Sequence, residues 1–187
     1  MSDLINAAMS GGKSNMDKAI NHLKDELLKL RTGKASGSML KGIMVDYYGT
    51  PTALHQAANV STPDSKTISI QPWDKKLLGS IEQAIFAANL GLTPMNDGEF
   101  VRITIPPLTE ERRKELVKVA KSLGEDSKVS IRNERQKILQ TIKAEVKNGY
   151  PEDQGKRRET EVQNIVNGYG DTIGKLIEAK EKDIMTV

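Results

Sequence analysis

The stretch that decides the fold begins at Leu108 and reads Leu-Thr-Glu-Glu-Arg-Arg-Lys-Glu-Leu. It opens a polar-rich segment that reaches to about Val146, with no proline and with Gly124 as its one glycine. A segment of this length without proline predicts one long helix. Thr109 suits the N-cap, with two glutamates in the first turn, and Asn148-Gly149 ahead of a proline marks the stop.

Apolar residues within this helix recur at about 100° per residue and fall on one side. The stripe consists of Leu116, Ala120, Leu123, Ile131, Ile138 and Ile142. A single stripe of this kind predicts a helix that is buried along one face against other helices.

Basic residues occupy a second side of the same helix, about a third of a turn away from the apolar stripe. We call this set the basic edge: Lys114, Lys118, Lys121, Lys128, Arg132 and Arg135. Residues 108–147 carry 11 Lys and Arg against 7 Asp and Glu, whereas residues 148–187 carry 6 against 8. The excess positive charge therefore lies on this helix and favours a polyanion such as RNA, with an ordinary solvated helix face as the alternative.

Two further segments have helical periodicity. Between Asn15 and Leu30 the apolar residues recur at steps of four and three, which predicts a first helix, and Ser10-Gly11-Gly12 predicts a break before it. A third helix is predicted from about Lys156 to Met185. Its seam is Val162, Ile165, Tyr169, Ile173, Leu176 and Ile184. Three helices with apolar seams predict an antiparallel three-helix bundle.

The chain between the first two long helices is different in character. Residues 34–105 contain short alternating strands, turn clusters and one short helix, and they predict a small mixed domain. Residues 32–107 carry 6 Lys and Arg and 6 Asp and Glu, so the insertion is neutral. It joins the bundle through two crossings, which we predict to act as a hinge of limited freedom, with rigid docking as the alternative. The crossings are Arg31, Thr32 and Gly33 on one side and Ile105, Pro106 and Pro107 on the other.

Composition excludes several functional classes. The chain has no cysteine, so disulfides and thiol chemistry are absent, and no apolar run has the length of a membrane span. The two histidines, His22 and His55, lie in different predicted domains, and we therefore expect no metal site. No phosphate-binding loop or dinucleotide motif is present. We expect a cytoplasmic monomer without a cofactor.

Ordered motifs along nearly the whole chain are similar to those of the ribosome recycling factor family. They include Leu30-Arg-Thr-Gly-Lys-Ala-Ser, Val45-Asp-Tyr-Tyr-Gly-Thr-Pro-Thr, Ile105-Pro-Pro-Leu-Thr-Glu-Glu-Arg-Arg-Lys-Glu-Leu and Val129-Ser-Ile-Arg-Asn. The resemblance implies an α+β protein, L-shaped and tRNA-like, in which a small β/α/β domain is inserted between helices one and two of a three-helix bundle. Residues 1–31 and 107–187 would form the bundle and 32–106 the insertion, with hinge strands at 31–33 and 105–107.

The family resemblance also implies a function. Such a factor binds the post-termination ribosome and, with elongation factor G and GTP, splits it into subunits without hydrolysing anything itself. Arg132 and Arg135 match arginines that the family places against large-subunit ribosomal RNA, and Gln136-Lys137 stand where an Arg-Asp pair is usual. The residues alone leave three other hypotheses: a coiled-coil adaptor, a general RNA-binding protein without splitting activity, and a hydrolase.

Overall fold

The computed structural model describes residues 3–186, and these contain five α-helices and six strands. The helices are α1 (Asp3–Lys29), α2 (Leu54–Ala57), α3 (Leu78–Ala87), α4 (Glu110–Lys147) and α5 (Glu152–Met185). The described chain divides into two compact units. One holds the described residues up to Thr32 and those from Glu110 onward, and the other comprises Gly33–Thr109.

The three long helices form an antiparallel bundle in which α4 packs against both neighbours. Asn15 of α1 donates from its side-chain amide to the carboxylate of Glu134 at 3.0 Å. Gly12, earlier in α1, lies against Ile138, later in α4, so these two helices run in opposite directions. The predicted helix over 108–146 is confirmed, and its predicted stop is followed by α5 after a four-residue connection, 148–151.

The predicted apolar stripe of α4 faces the bundle core. Five of its six residues are buried, and Leu123 is half-buried against the same core. Ile142 on α4 and Ile173 on α5 are fully inaccessible to solvent. Since each buried Leu or Ile side chain contributes about 1.5–3 kcal/mol relative to exposure, this stripe is a large part of the bundle's stability.

The predicted break before the first helix is wrong. Helix α1 runs without interruption through Gly11 and Gly12. Gly12 allows the close approach of α4, and this packing outweighs the low helix propensity of glycine. An ideal Cβ at Gly12 would lie 2.5 Å from Ile138 Cδ1, whereas one at Gly11 would meet no atom within 4 Å. Only Gly12 is thus required by the close approach of α4.

The small unit is built from a hairpin, a sheet and helix α3. Strands β1 (Met44–Tyr47) and β2 (Thr50–Ala53) form the hairpin. Tyr48 and Gly49 turn between them with φ of +50° and +84°, as a two-residue hairpin loop requires. Strands β3 (Ala58–Asp64), β4 (Thr67–Pro72), β5 (Pro94–Asn96) and β6 (Val101–Thr104) form an antiparallel sheet in the order β3-β4-β6-β5. The mixed helix-and-sheet class is confirmed.

Two features of this unit differ from the local preference of their residues. Pro94 and Asn96 are residues typical of turns, yet they lie in β5, a short edge strand, where proline costs no ladder hydrogen bond. Trp73 is a large aromatic residue, yet it follows the last residue of β4 and is 69% exposed. Its indole Nε1 donates to the carbonyl of Gln56 at 2.9 Å.

Neighbouring glycines of α1 give the first test of the packing. Gly12→Ala should lower the free energy of unfolding by roughly 1–3 kcal/mol, because the added methyl displaces Ile138 in a filled core. Gly11→Ala should raise it by roughly 0.5–1 kcal/mol, since alanine favours a helix and meets no obstacle. Urea unfolding followed by far-ultraviolet circular dichroism measures both. Equal effects at the two positions would contradict the close-approach argument.

A pH dependence follows from the contact between α1 and α5. The Tyr169 hydroxyl donates to Asp17 at 2.5 Å, and burial together with this bond raises the pKa of Tyr169 to about 12. An unfolded tyrosine loses its proton near pH 10, so the folded state binds more protons above that pH. The stabilisation is complete below about pH 10 and is lost as pH rises toward 12. Unfolding of wild type and Tyr169→Phe from pH 8 to 12 should show their difference shrinking; a constant difference would refute it.

Candidate nucleic-acid interface

The basic edge lies on α4, which is one continuous helix. Lys114 and Arg135 mark its ends, 21 residues apart, which is about 32 Å along the helix. The side chains of Lys114, Lys118, Lys121 and Arg132 are exposed, and those of Lys128 and Arg135 are half-buried. The structure thus brings all six predicted residues onto one helix, as a continuous solvent-accessible strip.

Helix α5 flanks this strip, whereas α1 lies on another side of α4. Gly124 allows the approach of α5, because a Cβ there would come within 2.8 Å of Ile177 Cγ1. Lys121 reaches across to Glu181 of α5 at 3.5 Å. On the α1 side, Glu134 accepts from Asn15 and from Lys137, which is bound at 2.7 Å. Lys137 is therefore held away from the basic edge.

Carboxylates pair with several cations of the edge. Glu110 binds Lys114 at 2.9 Å, and Glu125 binds Lys128 at 2.9 Å with Arg132 at 3.9 Å. Hydrogen bonds from Lys128 and Lys114 lower the pKa values of Glu125 and Glu110 respectively, so both carboxyls are charged near neutral pH. Exposed pairs of this kind contribute little to stability, but they change the charge that a ligand meets.

Within residues 3–186, Lys118 and Arg135 have no carboxylate within 4.0 Å. Sequence reasoning counted the cations of the edge and missed this division into paired and open members. The spacings from Glu110 to Lys114 and from Glu125 to Lys128 are those of helical ion pairs and were a usable signal. The pair of Lys121 with Glu181 depends on the packing of α5 against α4, so no sequence spacing could have predicted it.

The predicted hinge residues lie in two connecting segments without helix or strand. Pro106 and Pro107 are exposed, whereas Ile105 is buried in the small unit and its N–H donates to the Lys66 carbonyl at 2.7 Å. Gly33 has φ of +74°, and a Cβ there would lie 3.0 Å from Leu108 Cγ. Gly33 of the first segment therefore lies close to Leu108, which directly follows the second segment.

The described residues also form a polar groove apart from the basic edge. This groove lies between α1 and α4, lined among others by Asn15, Glu134, Lys137 and Gln140, and it is open to solvent. Hydrogen bonds from Lys137 and Asn15 lower the pKa of Glu134, which keeps this carboxylate ionised. Residues 3–186 contain no cluster of three or more His, Cys, Asp or Glu able to hold a metal ion. None of their helices combines the length and apolarity needed to cross a membrane.

Comparison with known proteins adds to this geometry. The family described as "Ribosome recycling factor" matches residues 23–185. The ribosome-recycling factor of Christiangramia forsetii is 50% identical over 185 residues, covering 99% of this chain and 100% of the relative. This chain belongs to the ribosome recycling factor family. The factor of Staphylococcus haemolyticus is 47% identical, with both chains covered completely.

Solved structures of the ribosome recycling factor family agree with the fold. A solution structure of the ribosome recycling factor has a TM-score of 0.80 at 38% identity and covers 98% of each chain. A second is a model of the T. thermophilus ribosome recycling factor and E. coli elongation factor G bound to the E. coli post-termination complex. It has a TM-score of 0.65 at 39% identity, covering 97% of this chain and 99% of its own. The bundle and the small sheet unit are thus features that the chain shares with recycling factors.

Proposed function

We propose that this chain is a translation factor that recycles ribosomes. It binds the post-termination ribosome and, with elongation factor G and GTP, separates the subunits, so that mRNA and tRNA are released. It acts in the cytoplasm, and it positions other molecules without catalysing a reaction. The observation that carries the proposal is the basic edge: a row of cations about 32 Å long on the central helix of a recycling-factor family member.

The charge pattern of α4 supports ribosomal RNA as the binding partner. Open cations at Lys118 and Arg135 and the loosely paired Arg132 offer guanidinium and ammonium groups to phosphates. Phosphate contacts of this kind supply affinity and orientation without reading bases. Large-subunit RNA offers a rigid array of phosphates, which suits a row of cations fixed on a helix.

The coiled-coil adaptor hypothesis has less support. An adaptor needs an exposed apolar seam for its partner, but the seam residues of this chain are buried in its own bundle core. They include Ile20, Leu23, Ile131 and Ile173. The exposed apolar side chains of the long helices include Leu28 and Val119. Since single exposed apolar residues are ordinary on protein surfaces, they do not favour an adaptor.

A hydrolase is also less well supported. General acid or base catalysis needs a titratable group with its pKa near the working pH, set in a cleft that excludes water. In the open groove the carboxylate of Glu134 has a pKa below the ordinary value, and its two bonds to Asn15 and Lys137 occupy it. The factor hypothesis needs no such group.

Removal of two arginines tests the basic edge. Arg132→Ala with Arg135→Ala should weaken binding to the large ribosomal subunit about tenfold or more, and should reduce the slope of log affinity against log salt by about one to two. Lys143→Ala is the control, since Lys143 lies on the same helix about 12 Å beyond Arg135, past the end of the basic edge. A filter-binding titration at several salt concentrations measures all three. Equal affinity of wild type and the double variant would exclude this interface.

The connecting segment tests how the factor works once bound. We propose that the two segments act as a paired joint, and that Pro106 and Pro107 restrict its motion because each proline fixes φ. Replacing both with glycine should leave affinity within about fivefold and reduce the rate of subunit splitting with elongation factor G several-fold. Pro63→Gly, an exposed proline of edge strand β3, is the matched control. Small-angle scattering should show a broader distribution of arrangements of the two units only for the variant at 106 and 107. A broader distribution with an unchanged rate of subunit splitting would contradict the proposed joint.

A further inference from the structure

Glu125 lies in the middle of the basic edge and faces two of its cations. Its Oε1 accepts from Lys128 Nζ at 2.9 Å, and its Oε2 lies 3.9 Å from the Arg132 guanidinium. A carboxylate that presents two oxygens to two neighbouring cations occupies the place that a phosphate would otherwise take. The edge therefore carries an internal anion at its centre.

The open cations lie on either side of this closed centre. Lys118 and Arg135 are 17 residues apart, about 25 Å along α4, and neither has a carboxylate within 4.0 Å among residues 3–186. Glu110 and Glu181 pair with two further lysines of the edge. A ligand thus meets separated open positions, not one continuous positive strip.

We propose that Glu125 is a specificity-determining residue that keeps the centre of the basic edge closed to non-specific polyanions. This inference rests on the proposed function, because it concerns how the edge distinguishes ribosomal RNA from other RNA. A carboxylate within 4 Å of both cations repels an incoming phosphate, and such a short distance is well inside the screening length at physiological salt.

The two classes of ligand respond differently to a closed centre. A flexible polyanion gains affinity from each cation that it neutralises, so it loses what Lys128 and Arg132 would contribute. A folded RNA holds its phosphates at fixed spacing, so it engages Lys118, Arg135 and the loosely paired Arg132 without displacing Glu125 from Lys128. The same pairing therefore costs the non-specific ligand more than the specific one.

Replacing the carboxylate of Glu125 with an amide tests this inference. Glu125→Gln removes the charge and keeps the shape and helix propensity of the side chain. We expect its affinity for heparin and for a random-sequence single-stranded RNA 20-mer to rise about fivefold at 50 mM salt, and the salt slope to steepen by about one to two. The affinity for the large ribosomal subunit should rise by a smaller factor, so the ratio of specific to non-specific affinity should fall.

Glu115→Gln is the matched control. Glu115 lies on the same helix, binds Arg112 at 2.8 Å with the same three-residue spacing, and falls outside the basic edge. It changes net charge by the same amount, so any larger effect of Glu125→Gln reports position. Circular dichroism checks that both variants keep the helical content of wild type.

The outcomes separate the inference from the function on which it rests. If Glu125→Gln raises polyanion affinity no more than Glu115→Gln, or raises polyanion and subunit affinity by the same factor, Glu125 is not a specificity determinant. If Arg132→Ala with Arg135→Ala binds the subunit as well as wild type does, the proposed function of the edge is wrong. In that case the polyanion affinities of Glu125→Gln and Glu115→Gln still decide whether Glu125 closes the centre of the basic edge.

Discussion

The close approach of helix α4 to both of its neighbours is the constraint on which the bundle depends. Three glycines, one on each helix, provide the necessary space: Gly12 against Ile138, Gly124 against Ile177, and Gly155 against Val146. In each case an added Cβ would lie within 3.0 Å of a side chain of the facing helix. Glycine costs helix stability by about 1 kcal/mol relative to alanine, and here the interlocked packing of Ile and Val offsets that cost.

This packing also decides where the charges of the basic edge lie. With one side of α4 covered by α1 and another by α5, a limited arc remains for solvent, and the basic edge occupies the part of it beside α5. Gly124 brings α5 close enough for Glu181 to reach Lys121, so the same contact that completes the core also pairs one of the edge's cations. Core packing and surface charge are therefore linked through one helix face.

Sequence periodicity predicted the three helices and the positions of the edge, because both depend on local geometry at 100° per residue. It failed where tertiary contacts reverse a local preference. Gly11-Gly12 is a breaker by propensity and a packing site in the fold, and Pro94 is a turn residue that is tolerated on an edge strand. The residues of the edge were identifiable from the sequence, but the pairing of Lys121 with Glu181 required the register of α4 on α5.

The RNA-binding role proposed for α4 places two opposing demands on the helix. Six cations along one face repel each other and weaken an isolated helix, and acids at three- or four-residue spacing reduce that repulsion. Each added acid also removes a cation from the surface that phosphates meet. The pattern in α4 resolves the conflict by position: Glu110 and Glu125 pair with lysines three or four residues away, and Arg135, half-buried beside the core, stays open. Arginine suits that position, because its guanidinium keeps its charge when partly desolvated and binds phosphate through two parallel hydrogen bonds.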